Sequence, residues 1–258
     1  MSVSQQSDKT ILIHSSGASA EVYLLGATLT SWKTNNKEHI FLSEKSLLDG
    51  SKPIRGGNSR FAPLTSSVIE NKVIAKFGLD PTMISDEHRK LWPFNFTLVY
   101  TVTLTADTLE TKLHVQNTGD KAFDFNTLMH TYFLVPNVAT VKVHGLDQLG
   151  YMDKVTQQNA KQEGDITVGG EVDKVFADVA NDDIQVHFGA GQGGVQVHLD
   201  GVRDIVVWNP WVDKSVGMSD FGDDEYHRMI CVEAGQVARF ISLASGGSWE
   251  GRQVLSLL

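Results

Sequence analysis

Between Phe96 and Met129 apolar and polar side chains alternate with period two, and two sets of turn residues interrupt them. That period belongs to strands with one buried face; a helix would return its apolar residues every three or four positions. Phe96, Leu98, Tyr100, Val102 and Leu104 alternate with Thr97, Thr101 and Thr103, a run rich in the β-branched and aromatic residues that suit a pleated surface. Ala106-Asp107 turns the chain, Leu109, Thr111, Leu113 and Val115 alternate again, and Asn117-Thr118-Gly119-Asp120 turns it once more. Phe123, Phe125, Thr127 and Met129 continue the pattern on a third strand, expected to run on to Leu134. Further short strands are predicted around 11–13, 22–25, 28–33, 40–42, 73–77, 141–143, 184–188, 195–199, 205–208, 229–233 and 238–243, with one short helical turn over 85–90. Many close strands without intervening helices predict an all-β antiparallel sandwich or barrel, not βαβ units. No Pro/Ser-rich linker, charge block or repeat divides the sequence, so a single β domain over residues 1–258 is expected.

Composition narrows what such a domain does. Hydrophobic residues are 41% of the 258, enough with 23 glycines to bury a sizeable core without cross-links. The 22 Lys+Arg against 31 Asp+Glu leave a net charge of −9, which argues against a nucleic-acid partner or a polybasic membrane surface. The single cysteine, Cys231, excludes an internal disulfide framework and a cysteine-based zinc cage. Nothing nears the ~18 consecutive apolar residues of a membrane span. The polar start, residues 1–16, has no arginine and no apolar h-region, so no signal or transit peptide is expected. A cytoplasmic monomer is the expectation.

Some motifs match only by spelling. Gly189-Ala190-Gly191-Gln192-Gly193-Gly194 satisfies G-x-G-x-x-G, but that fingerprint needs a helix behind it to receive a pyrophosphate. Val195, Val197 and Leu199 alternate instead, which predicts a glycine-rich hairpin turn. Asn95-Phe96-Thr97 falls inside a strand and is read as idle. The nine histidines include no H-x-x-x-H pair, so spacing supports no metal site.

Four other places carry chemistry-bearing residues. By alternation His130 shares a face with Leu128 and Tyr132, on a strand whose mixed faces suit a cleft wall; a core histidine satisfied by a carbonyl is the alternative. Glu233 ends the apolar run Met229-Ile230-Cys231-Val232, where a charge is costly unless partnered or facing a wet pocket; a solvent-facing strand end is the alternative. Arg55, between Pro53 and Gly56-Gly57, lies in an irregular loop, either as an anion clamp or as an ordinary surface arginine. Trp208-Asn209-Pro210-Trp211 sets two indoles around a strand-breaking Asn-Pro, to cover a sugar face or to close a core.

Taken together, the runs Pro53-Ile54-Arg55-Gly56-Gly57, Met129-His130-Thr131-Tyr132-Phe133, Glu171-Val172-Asp173, Val206-Val207-Trp208-Asn209-Pro210-Trp211, Gly217-Met218-Ser219-Asp220-Phe221 and Cys231-Val232-Glu233-Ala234-Gly235 resemble one family. It is the hexose-6-phosphate mutarotases, or glucose-6-phosphate 1-epimerases, of the aldose 1-epimerase superfamily. The resemblance implies a galactose-mutarotase-like supersandwich that needs no cofactor or metal and takes a sugar phosphate as its small-molecule partner. It implies His130 as general acid, Glu233 as general base, Asp173 as the carboxylate holding sugar hydroxyls and Arg55 as one of two arginines on the 6-phosphate.

Anomer exchange removes the O1 proton and protonates the ring oxygen O5, so a base and an acid on opposite sides of the anomeric centre suffice. Family members carry a Phe-Pro-x-Phe-Gly and a His-Gly-x-Ala-Arg segment after the Arg-Gly-Gly run. Here Gly57 continues directly into Asn58-Ser59-Arg60, so both segments, with a second His and the second phosphate-binding Arg, are missing between Gly57 and Asn58. Arg60 stands nearby without the motif around it. Three functions remain in play: hexose-6-phosphate epimerase, mutarotase for unphosphorylated aldoses, and a non-catalytic carbohydrate-binding protein.

Overall fold

The computed structural model describes residues 1–47 and 59–258 of the chain. Arg55 and the Gly57–Asn58 junction lie outside the described residues.

Among the described residues every strand pairing is antiparallel, as period-two sequences joined by short turns require. An N-terminal meander forms five strands: Ser2–Gln5, Lys9–Ile13, Ser19–Tyr23, Thr28–Thr34 and Lys37–Glu38. An eight-stranded sheet runs, in spatial order, through Lys142–His144, Asp183–His187, Gly194–Asp200, Ser248–Leu257, Thr108–Asn117, Phe96–Leu104, Lys72–Leu79 and Ala62–Ile69. The third sheet starts with Phe123–Met129, then Met229–Leu243, Asp204–Asn209, Val172–Phe176, Gly150–Asp153 and Gln158–Lys161; Tyr132–Leu134 also pairs with Met229–Leu243. The fold is the antiparallel β-sandwich expected.

The apolar faces of the sheets meet in one large core, which includes Leu12, Trp32, Phe77, Val102, Ile184, Val197, Val207, Ile230, Val232 and Ala234. A smaller cluster lies on the other face of the third sheet: Phe41, Tyr132, Val206, Trp208, Phe221, Tyr226, Met229 and Cys231. The strand Met229–Leu243 is therefore buried on both faces at its start, which is why it reads as an unbroken apolar run. A Cβ on Gly235 would come 2.5 Å from the carbonyl oxygen of Thr127, so the neighbouring strand can pack there only against glycine.

Two expectations on strands need correction. Residues 40–42 form only an isolated bridge, Ile40 to Phe133. The strand expected from Phe123 to Leu134 ends at Met129 and resumes at Tyr132, leaving His130 and Thr131 outside the ladder. The helical turn is present as Asp86–Leu91, with the Ser85 hydroxyl accepting from the His88 amide. Residues 188–193 make the glycine-rich turn between Asp183–His187 and Gly194–Asp200, with Gly189, Gly191 and Gly193 at positive φ.

Candidate active site

The register of the third sheet decides which side chains share its outer face. Tyr132 pairs with Cys231, Cys231 with Trp208, Glu233 with Val206, and Trp208 in turn with Asp173. Paired residues point the same way and the period is two, so Glu233, Cys231, Trp208 and Asp173 stand on one face. His130, two residues before Tyr132, reaches the same place from the strand break, and its Nδ1 lies 3.4 Å from Glu233 Oε1. Two strands and a strand break, distant in sequence, thus deliver Glu233, Asp173 and His130 to one surface.

Exposure settles both alternatives. His130 is no core histidine: its side chain is 33% exposed. Glu233 is no solvent-facing strand end: its side chain is 2% exposed, and Oε2 is buried without a hydrogen-bond partner. Burial pushes the Glu233 carboxyl well above the usual carboxylate range, and the negative charge of Asp173 pushes it further. Asp173 is also raised, chiefly by burial, against the opposing pull of Lys214 and Lys154. Lys214 Nζ lies 3.9 Å from Asp173 Oδ2 and donates at 2.8 Å to Glu171 Oε1.

Aromatic rings build the walls. The His130 and Tyr132 rings stack, while Trp208 meets both edge-on at 6.2 and 6.1 Å. Trp208 is 8% exposed and Trp211 packs on Tyr226, so of the two readings of this motif both indoles serve as packing. Asn209 fixes the turn. Its Nδ2 donates to the carbonyls of Tyr226 and Met229 at 2.9 Å, and its Oδ1 accepts from the Trp211 amide. These bonds hold Trp211 at φ +56°, a conformation that a bulky residue adopts only when its surroundings impose it. His130 also borders a cavity of about 410 Å³, lined by Leu29, Phe61, Leu98, Met129 and Tyr132 among others. That volume is within the range of small-molecule sites.

Arg60 is not part of this arrangement: its guanidinium donates to the carbonyl of Ser7 in the first hairpin. Lys214 is the residue that the sequence did not single out. Lys214 follows the Trp-Asn-Pro-Trp run by three positions, and that nearness is its only trace in the sequence.

Comparison with known proteins identifies the family of the chain. The family model described as aldose 1-epimerase matches residues 67–256. The chain belongs to the aldose 1-epimerase family. A relative from Cenchrus ciliaris, named “Putative glucose-6-phosphate 1-epimerase”, is 32% identical over 96% of this chain and 84% of its own length. One of the same name from Escherichia coli K12 is 29% identical over 83% and 78% of the two chains. Among solved structures, a Salmonella typhimurium protein described as a “putative mutarotase” superposes with a TM-score of 0.86 at 25% identity, covering 99% of this chain and 92% of that one. A galactose mutarotase-like protein from Clostridium acetobutylicum, at 13% identity and a TM-score of 0.73, shares the fold. As a member of this epimerase family the chain has the galactose-mutarotase-like sandwich.

Proposed function

We propose that this chain interconverts the α and β anomers of a hexose 6-phosphate, glucose 6-phosphate first among them. Glu233 acts as the general base, His130 as the general acid and Asp173 as the acceptor for sugar hydroxyls. The observation that carries the proposal is the 3.4 Å approach of His130 Nδ1 to a buried Glu233. In the first half-reaction the Glu233 carboxylate takes the O1 proton. The O1 electron pair closes the C1 carbonyl, the C1–O5 bond breaks, and O5 takes a proton from the His130 imidazolium. Rotation about C1–C2 turns the other carbonyl face toward O5, and closure returns both protons to where they began. Desolvation favours the base, because a buried carboxylate holds a captured proton more tightly than one in water.

The specificity for a phosphorylated sugar rests on the names of the relatives and on the resemblance at Arg55. The competing substrate, an unphosphorylated aldose, is favoured by one observation, the engagement of Arg60 by Ser7 away from His130 and Glu233. The deciding experiment follows anomerisation of pure α-glucose 6-phosphate and of α-glucose polarimetrically, subtracting the spontaneous rate. Acceleration of the phosphate ester beyond glucose is expected. No acceleration of either sugar would remove the catalytic reading.

A further inference from the structure

Cys231 adds a third donor to the pair. The ring nitrogen of His130, the thiol sulfur of Cys231 and a carboxylate oxygen of Glu233 all lie within 4.8 Å of one another. The His130 to Glu233 separation of 3.4 Å is long for a charge-assisted hydrogen bond, which is about 2.7–2.9 Å. It is instead the spacing of two ligands that each lie about 2.0–2.1 Å from one tetrahedral ion. A second, independent sign is Glu233 Oε2, an acceptor buried without a partner on a side chain that is 2% exposed. Such an atom ordinarily costs stability unless something occupies its lone pairs. The exposed edge of His130 provides a way in, and the Asp173 carboxylate adds negative charge on the same face.

We propose that His130, Cys231 and Glu233 capture a zinc-class divalent ion, and that the captured ion turns the enzyme off. Nitrogen, sulfur and oxygen donors select borderline ions such as Zn²⁺ over Mg²⁺ and Ca²⁺, which take oxygen. On binding, the Cys231 thiol releases its proton to solvent. The sulfur, imidazole and carboxylate lone pairs then fill three positions and leave the fourth facing the cleft. With those lone pairs engaged, Glu233 cannot take the O1 proton and His130 cannot return one to O5. The inhibitory half of this inference rests on the function proposed above; the binding half does not.

The test uses the full chain freed of metal. Zinc is titrated in competition with a chromophoric chelator, and cobalt(II) is added separately as a spectroscopic probe. One ion per chain is expected, with a near-ultraviolet thiolate-to-cobalt charge-transfer band. Cys231→Ser and Cys231→Ala, each checked for folding by circular dichroism, should lose the band and bind zinc at least about tenfold more weakly. Both should keep metal-free anomerisation while escaping inhibition at zinc levels that stop the wild type. Glu233→Gln should lose the band as a third variant. Absence of the band, or equal zinc affinity in the wild type and both cysteine variants, overturns the site. A band lost with Cys231 in a protein without any anomerase activity upholds the site and sinks the proposed function. Full activity with zinc bound overturns the inhibition.

Discussion

The imidazole of His130 lies flat on the ring of Tyr132, with centroids 4.6 Å apart and planes 8° from parallel. Tyr132 is the first residue after the strand break and is held by its pairing with Cys231, so the stack transmits the position of the ladder to a residue outside it. Tyr132 is in this sense a positioning residue for His130. Tyr132→Ala should lower kcat by about 10–100-fold through a misplaced imidazole. Tyr132→Phe keeps the ring and should stay near the wild-type rate. A Phe variant as slow as the Ala variant would show that the hydroxyl, not the stack, matters.

Glu233→Gln should lose about 10²–10⁴-fold of the catalysed rate, the usual contribution of a general base. The amide is nearly isosteric and removes a buried charge, so thermal stability should hold or rise. The rate must be read after subtraction of the spontaneous reaction. A wild-type rate in the Gln variant would place the base elsewhere.

Much of this architecture was legible because the hairpins 96–104 and 108–117 carry strict period-two patterns. Several strands escaped, among them Ser2–Gln5, Gly150–Asp153 and Ser248–Leu257, and for others two causes are plain. Ala62–Ile69 and Gln158–Lys161 are edge strands with mostly exposed residues, so no apolar alternation marks them. Val172–Phe176 is short and starts beside the charged pair Glu171 and Asp173, which hides its buried Val172 and Phe176. At the site, each residue was visible singly through ordered motifs, but the contact of His130 with Glu233 depends on a register between strands about a hundred positions apart. The metal-competent trio escaped for the same reason: its Cys231-x-Glu233 half is local, and its histidine comes from the break between two segments paired with that strand.

His39 predicts an acid-sensitive fold. It is 3% exposed, Nδ1 has no partner, and Nε2 is bonded to Thr34 Oγ1 at 2.7 Å. Burial, helped by Lys37, pushes its pKa down to about 4. Between the unfolded value of about 6.5 and this one, only the unfolded chain takes up the proton. Its share of stability is therefore intact above pH ~6.5, is lost as pH falls toward ~4, and amounts to about 3 kcal/mol. His39→Gln should show a smaller loss than wild type in urea unfolding at about pH 4.5 compared with about pH 7.5. Equal losses in both proteins would exonerate His39.

Asp204 should matter more for stability than for chemistry. It is 1% exposed, and its carboxylate accepts from the amides of Asp178, Val237 and Ala238 at 3.1, 2.6 and 2.7 Å. Those bonds anchor the long strand Met229–Leu243 where its pairing with Phe123–Met129 is irregular. Asp204→Asn turns an NH₂ toward amide donors and should cost about 2–3 kcal/mol, or roughly 4–12 °C in melting temperature. An unchanged melting temperature would mean that solvent already satisfies these amides.

Asp173 gives the sharpest separation of binding from chemistry. Its carboxylate lies on the Glu233 face, half-buried, with the Lys214 ammonium at 3.9 Å. If it accepts hydrogen bonds from sugar hydroxyls, those bonds exist before and during ring opening alike, because the hydroxyls that it holds do not react. Uniform binding of this kind appears in KM and not in kcat. A hydrogen bond to a charged acceptor contributes about 1.5–3 kcal/mol, so Asp173→Asn should raise KM by about 10–100-fold with kcat within a few-fold of wild type. Lys214→Met should act more weakly in the same direction, since it frees the Asp173 carboxylate from a neighbouring cation rather than removing it. Steady-state kinetics on both variants checks the split. A fall in kcat with KM unchanged would instead make Asp173 a participant in proton transfer, acting on O1 through its charge next to Glu233.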